Sequence, residues 1–578
     1  SRKKYGIVWE EEKEPEQIVV DCQYKIPILK ETSSRAILKE KDSPMNILVE
    51  GDNYHALSVL NYTHKKKIDV IYIDPPYNTG AKDWKYNNNY VDINDLYRHS
   101  KWLNLMSKRL WLAKNLLKED GVLICAIDEN EVNPLGVMLE EIFKDYEIHL
   151  ITIVHNPRGV QGKNFSYTHE YAYFIFKKGL KIIGDRKLAQ DEIYWSNLRN
   201  WGGESLRSDA RNCFYPIIIK KNKIVGFGNV PDTNFHPKKQ TEKKDGLCYV
   251  WPIDVKGVER KWRYARQSVE SIKDLLRIKE SEERIEIDIG KPYGTVRTVW
   301  QNSKYDAAEY GTKLVHTLVP DTDFDFPKSV YNTYDCIAPI LSERKDALVL
   351  DYFAGSGTTG HALMILNKED GGNRRFILVT NNEVGDKLEN EFKTKAGIDE
   401  ATLRIWQKEN KKEWMQYAEK HGICSAVCYP RIKKVIEGHK DLPEITKIPA
   451  NLRYFKTEML DVDHISHVSD EQKIKLTYLA GEMIALRENT FEEVEKNDWW
   501  QIFKNGTSYT AIYFKEDKIK LNELVQKLDK FKEKVALYIF SWGKNEYKNE
   551  YTDYKNIRVE DIPEPIIDVY KEVNRWSG

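Results

Sequence analysis

No apolar run in this chain reaches the ~18 to 20 residues that a bilayer span needs, and the first twenty residues hold the acidic stretch Glu10 to Glu16 where a secretory segment would be apolar. We therefore expect a cytoplasmic protein with no membrane partner. Cysteine is scarce: seven residues, an odd number spread thinly, fit reduced thiols and not a disulfide framework. Cys424 and Cys428 lie close together with His421 nearby, yet no second ligand pair follows at finger spacing, so no metal is expected. Net charge is missing too, with 90 lysines and arginines against 90 acids, so no global field points to a partner. Internal repeats and low-complexity tracts are absent. What remains is a chain of 578 residues, 41% hydrophobic and 12% aromatic, which at about 150 residues per domain is ample for three or four cores.

Apolar β-branched runs mark the strands. Asn46 to Glu50 ends at Gly51-Asp52-Asn53, and Ile68 to Ile73 reads as a strand buried on both faces of a parallel sheet. That second run stops at Asp74-Pro75-Pro76-Tyr77, where two prolines cannot donate ladder hydrogen bonds. An amphipathic helix is predicted over Asp95 to Lys118, followed by a strand over Val122 to Ile127. Strand, helix, strand is the repeating unit of an α/β sheet. The alternation lapses between Ile151 and Glu270, where 22 lysines and arginines face 12 acids, a local excess that suits a polyanion as well as a solvated insertion. It resumes with Ala347 to Leu350 and Phe376 to Val379.

Between those two strands lies Asp351-Tyr352-Phe353-Ala354-Gly355-Ser356-Gly357-Thr358-Thr359-Gly360, a glycine turn at the place where open α/β sheets bind nucleotide-like ligands. It lacks both the dinucleotide glycine spacing and a Walker lysine, so a phosphate is not the obvious guest. Glu383, after the next strand, occupies the position of an acid that bonds ribose hydroxyls. The Asp74 turn is more telling. A carboxylate, an exposed proline carbonyl and an aromatic face at a rigid strand end suit an exocyclic amine on a planar base: Asp74 and the Pro75 carbonyl accept its two protons while Tyr77 stacks on the ring.

These residues resemble the amino-group DNA methyltransferases that depend on S-adenosyl-L-methionine, in the class whose catalytic motif precedes the cofactor loop. The chain is most similar to the modification (Mod) subunits of type III restriction systems. The resemblance is carried by Val49 to Asn53, Ile71 to Gly80, Asn156-Pro157-Arg158-Gly159 with Gln161-Gly162-Lys163, Thr168 to Tyr171, Phe324 to Ser329, the glycine turn and Asn451 to Thr457. It implies Asp74, Pro75, Pro76 and Tyr77 as the catalytic tetrapeptide. Asp52, Asn53, Lys328, Asp351, Phe353, Gly355, Ser356, Gly357, Thr358 and Glu383 would be the cofactor contacts, although Ser329 stands where a proline more often follows the lysine. Asp128 and Glu129 end a central strand, and His155 and His169 read as structural hydrogen-bonders.

The implied fold is a Rossmann-like α/β methyltransferase with permuted motif order: an N-terminal segment (1–45), a catalytic half (46–180), an inserted target-recognition domain (181–323), a cofactor half (324–395) and a C-terminal α+β association domain (396–578). The implied activity is site-specific methylation of adenine in duplex DNA by base flipping, because aspartate leads the tetrapeptide. Candidate DNA contacts are Arg158, Lys163, Asn197, Arg199, Asn200, Arg207 and Arg211. A homodimer and a separate helicase-nuclease restriction subunit are the expected protein partners, since no nuclease or helicase signature is present. Alternatives are a cytosine-N4 enzyme, or a specificity subunit whose main role is to direct a nuclease; RNA or small-molecule methylation fits the basic insertion less well.

Overall fold

The computed structural model describes residues 15–39, 43–87, 89–161, 164–188, 193–280, 284–320, 322, 324, 327–438, 447–543, 546–547 and 549–576. The chain forms two compact units, Ser1–Ile183 with Arg297–Gly578, and Gly184–Val296. The larger is built on a ten-stranded sheet. Its strands are β1 (Lys25–Glu31), β2 (Met45–Glu50), β3 (Ile68–Ile73), β4 (Leu117–Ile127), β5 (Tyr146–Val154), β6 (His169–Lys177), β7 (Val299–Trp300), β8 (Leu348–Asp351), β9 (Arg375–Thr380) and β10 (Asn451–Asp461). They lie in the order β1-β10-β2-β9-β8-β3-β4-β6-β5-β7. From β10 to β4 every neighbour is parallel, while β6 runs against both β4 and β5, and β1 against β10. The helices used below are α1 (Gln17–Asp21), α2 (Asn53–Thr63), α3 (Arg98–Leu116), α4 (Val330–Leu341), α5 (Thr358–Asp370) and α6 (Tyr429–Glu437).

All six residues of β3 are buried, as a strand with both faces covered requires. Burying each of its large apolar side chains contributes roughly 1.5–3 kcal/mol. The one acid in the run explains itself. Asp69 accepts from Lys118 Nζ (2.8 Å) and from the Leu348 backbone N–H (2.9 Å), so it ties β3 to β8 at the end of the sheet remote from Asp74. Asn46 does the same for its neighbours, accepting from Phe376 N (2.9 Å) and donating to the Asn451 carbonyl (3.1 Å). These bonds fix the register on which the site depends. β4 begins at Leu117, earlier than Gly121, because Leu117 pairs with Ile68 across a bulge.

The region expected as a separate association domain, 396–578, is part of the larger unit. Its strand β10 lies between β1 and β2. Beyond it a five-stranded sheet (Glu492–Lys496, Trp500–Lys504, Ser508–Tyr513, Lys534–Phe540, Ile557–Ile562) alternates its side chains between two cores. Leu537 and Ile539 pack with Leu521 and Leu524, whereas Ala536 and Tyr538 join the core that holds Leu57 and Leu60 of α2. The period of two gives this sheet no free apolar face, and the boundary at 396 disappears.

The smaller unit, Gly184–Val296, is narrower than the expected 181–323. It contains a four-stranded antiparallel sheet centred on Ile217–Lys220 and Leu247–Val250, and a three-stranded one in which Ile285–Gly290 lies between Trp195–Asn197 and Leu276–Glu280. Tyr215, Ile217, Val250, Trp262 and Ile287 form its core.

Candidate active site

Because β3 and β8 are parallel neighbours, with Val349 opposite Val70 and Leu350 opposite Ile71, the residues that follow them leave the same edge of the sheet side by side. Asp74 and the glycine turn, remote in the chain, therefore meet at the carboxyl ends of adjacent strands, where ligands of open α/β sheets bind. The Pro76 carbonyl is taken by the Trp102 indole N–H of α3 at 2.6 Å, while the Pro75 carbonyl accepts no hydrogen bond from the described residues. Asn78 follows in the left-handed region (φ 57°) and is buried; its side chain accepts from Trp84 Nε1 at 3.0 Å and donates to Glu131. That bond anchors the hairpin of Ala81–Tyr86 and Asn89–Asp92 directly behind the tetrapeptide.

The Asp74 carboxylate has company that sequence spacing did not reveal. Lys328 Nζ stands 3.5 Å from Asp74 Oδ1, bonds Glu170 and the Tyr77 hydroxyl, and lies 4.4 Å from the Tyr77 ring centroid. Tyr77 in turn donates to Glu170 Oε2 (3.2 Å), and Asn332 of α4 donates to Glu170 Oε1 (2.8 Å).

Asp351 ends β8 and folds its carboxylate back on the turn, accepting from Phe353 N (2.9 Å) and Thr359 Oγ1 (2.6 Å). Gly355 and Gly357 hold φ of +49° and +82°, and α5 starts at Thr358. A cavity of about 760 Å³ opens over this turn. Its walls include Asp52, Asn53, Pro76, Phe353, Gly355 and Glu383, together with Glu16, Gln17, Ile18 and Asp21 from α1 and its approach. Asp52 caps α2 by accepting from Tyr54 N (2.7 Å), and Asn53 donates to the Tyr352 carbonyl (3.1 Å). Buried Arg109 grips Glu16 with two bonds of 2.9 and 2.7 Å and also reaches Asn53 Oδ1 (2.5 Å). Glu383 is ion-paired with Lys85 of the hairpin at 2.6 Å.

A DNA methylase family covering N6 and N4 amino methylases matches residues 68–399. The chain is 32% identical over 368 residues to the type II methyltransferase M.KpnI of Klebsiella pneumoniae, across 60% of this chain and 82% of that protein. The chain belongs to the DNA methylase family. It is also 28% identical over 416 residues to the Mod subunit of the type III restriction-modification enzyme EcoPI of Escherichia phage P1, across 63% of this chain and 62% of that subunit. Among solved structures, M1.HpyAVI in complex with SAM matches 58% of this chain and 94% of its own at 15% identity, with a TM-score of 0.25. The methylase has a Rossmann-like α/β sheet in which β3, followed by Asp74, precedes β8 and its glycine turn in the chain.

Not every expected contact of the methylase faces the cavity. The Ser356 and Thr358 hydroxyls both accept from Arg431 Nη1 of α6, each at 2.8 Å, so they brace the turn from below. Gly357 packs on the same helix, and Lys328 stands with the tetrapeptide. The missed residues are Glu16, Lys85, Trp102, Arg109, Glu170 and Arg431. Only Glu170 carried a local signal, an acid directly before the apolar and aromatic run Tyr171 to Phe176 and within the motif Thr168 to Tyr171.

The candidate DNA contacts divide by what already satisfies them. Arg199 is only 3% exposed, donates to the Ile253 carbonyl (2.5 Å) and approaches Glu286, which also accepts from Asn197 (2.7 Å). Arg207 donates to the Phe235 and Asp232 carbonyls and to Glu259. This departs from the expectation of open contacts: guanidinium donors spent on backbone carbonyls brace the smaller unit and have little left for phosphate. Asn200 bonds within its own loop. Arg211, 57% exposed beside Asp232, and Arg158, 73% exposed beside Asp306 at 3.2 Å, remain open to solvent. Lys163 lies outside the described residues.

Burial dominates the titration of the site. It lifts Asp74 above the ordinary carboxylate range against the pull of Lys328, lifts Asp128 to about 6, and lifts Asp351 to about 7 against the bonds from Thr359 and Phe353. A native carboxyl raised from 3.8 to about 7 holds its proton where the unfolded chain has lost it, so stability falls as pH rises through that window. Asp351→Asn is therefore expected to flatten the decline in urea stability between pH 4 and 7, by up to about 4 kcal/mol. An unchanged slope in the variant would refute the assignment.

Proposed function

We propose that this chain transfers a methyl group from S-adenosyl-L-methionine to the exocyclic amine of adenine in duplex DNA, as the modification and specificity subunit of a type III restriction system. The observation that carries the reading is the meeting of Asp74-Pro75-Pro76-Tyr77 with the glycine turn at the ends of β3 and β8. The cavity suits the cofactor in size and donor set. Glu383 offers a carboxylate for ribose hydroxyls, Asp52 and Asn53 offer acceptors near the adenine, and Phe353 and Gly355 admit the methionine part to the turn without a side chain at Gly355. When bound, the cofactor supplies an electrophilic methyl group.

Asp74 and the Pro75 carbonyl, which no described residue engages, accept the two amine protons, and this draws the nitrogen lone pair out of the ring and toward the methyl carbon. Trp102 locks the Pro76 carbonyl and thereby the orientation of the turn. Tyr77, pinned through its hydroxyl by Glu170 and Lys328, presents its ring to an extruded base, whose unstacking costs a few kcal/mol. Arg211, Asn200 and Arg158 are the candidates for duplex contact, and affinity should fall steeply with salt. We further propose a homodimer that works with a separate restriction subunit.

The test is incubation with methyl-labelled cofactor and duplex DNA of broad sequence content, followed by digestion to nucleosides. N6-methyladenine is the expected product. N4-methylcytosine would keep the site and overturn the base, and the absence of label in DNA would overturn the reading.

A further inference from the structure

We propose that Lys328, held in place by Glu170, is a positioning residue that keeps the Asp74 carboxylate ionised and aimed at the target amine. The inference rests on the reading of Asp74 as the acceptor of that amine.

Three elements distant in the chain converge here: Asp74 follows β3, Glu170 lies in β6, and Lys328 precedes α4. The lysine side chain is only 11% exposed. Removing an ammonium from water is costly unless partners replace its hydration, so a buried lysine invites a functional explanation more than a stabilising one. Its placement is set by backbone and not by a flexible stem alone. A Cβ on Gly311 would stand 2.1 Å from the Pro327 carbonyl, so the Pro327-Lys328 segment is pressed directly against a glycine. Glu170 is also fully engaged, one oxygen with Asn332 and the other with Lys328 and Tyr77.

Asp74 faces Lys328, Glu170, Tyr77, Tyr72, Cys125 and Asp351. Among these groups Lys328 is the one cation, and only it and the Tyr77 hydroxyl favour the ionised carboxyl; burial and Glu170 oppose it. The charge state decides the chemistry. A carboxylate accepts an amine proton and leaves the nitrogen lone pair free. A neutral acid instead donates its own proton to that lone pair and blocks attack. As the N–C bond forms and the C–S bond breaks, the amine nitrogen gains positive charge and sheds one proton, which the Asp74 carboxylate receives and passes to solvent. A nearby ammonium thus keeps Asp74 ready as an acceptor at neutral pH.

The two partners should move the acid limb of the pH–rate profile in opposite directions. Single-turnover methylation would be followed against pH for the intact protein, Lys328→Met, Lys328→Arg and Glu170→Gln, with binding of S-adenosylhomocysteine by calorimetry as the measure of an intact fold. Lys328→Met should slow transfer about 10- to 100-fold near pH 7 and displace the acid limb upward by about one pH unit, while Lys328→Arg returns the limb toward its original position. Glu170→Gln removes the anion that competes for Lys328 and should displace the limb downward. Limbs that stay in place, or that move the same way in Lys328→Met and Glu170→Gln, overturn the proposal and leave an ordinary structural ion pair. Should Lys328→Met lose the ligand, the arginine and glutamine variants decide the matter. An unsubstituted protein that transfers no methyl group at any pH overturns both this inference and the reading of the site, whereas an active one with unshifted variants overturns the inference alone.

Discussion

Asp74→Ala is expected to lower single-turnover methyl transfer by about 100- to 1,000-fold while S-adenosylhomocysteine binds with unchanged affinity. The separation follows from where the residue stands. Asp74 belongs to the corner at the end of β3, and the cavity is walled by Pro76 and not by the Asp74 carboxylate. On the proposed reading its removal takes away the acceptor of the amine protons, and it also leaves Lys328 with Glu170 as its remaining acidic partner, so the lysine stays neutralised and the fold is little disturbed. Loss of ligand binding in parallel with activity would mean that the variant is merely misfolded. Equal transfer by both proteins would remove Asp74 from the mechanism.

Gly357→Val should abolish ligand binding or weaken it by about 100-fold, with lowered thermal stability. The backbone at Gly357 has φ +82°, a region that costs a residue with a side chain roughly 1–2 kcal/mol and a β-branched one more. Space adds to the strain. A Cβ there would lie 3.0 Å from Cys428 Sγ and 3.3 Å from Ile432 of α6, both in the packed interior, and overpacking of that kind typically costs 1–3 kcal/mol. The turn can escape only by moving toward the cavity. Gly371, at the end of α5, is the matched control: its φ is +68° with nothing within 4 Å of an added Cβ, so Gly371→Asn should bind as the intact protein does. Calorimetric titration of the two variants separates loop geometry from generic glycine loss, and a Gly357→Val protein with normal affinity would show that the turn does not shape the pocket.

The parts of this fold legible in the sequence were those whose physics is local. The runs that became β2, β3, β8 and β9 are apolar because helices cover both sheet faces, and two prolines or a glycine pair end the important ones. Asp74 and the turn at Gly355 stood out for the same reason. What stayed hidden depends on pairing across the chain. β10 carries Arg453, Lys456 and Glu458 within one strand and lacks an apolar run, since Arg453 is satisfied by Glu31 and Lys456 by Glu50 and Glu419, each from another part of the molecule. Lys328 and Glu170 acquire meaning only beside Asp74. Arg199 and Arg207 mislead in the opposite sense: composition presents them as cations for phosphate, whereas their donors end on carbonyl groups of their own unit.

The position of β10 between β1 and β2 bears on how the protein is made. In chain order the Asp74 corner comes before the glycine turn and the turn before β10, so in a growing chain β1 has no bridge to β2 until β10 has emerged. Such long-range closure is slow to form. Growing chains consequently keep an open seam between β1 and β2, which closes only when β10 is added.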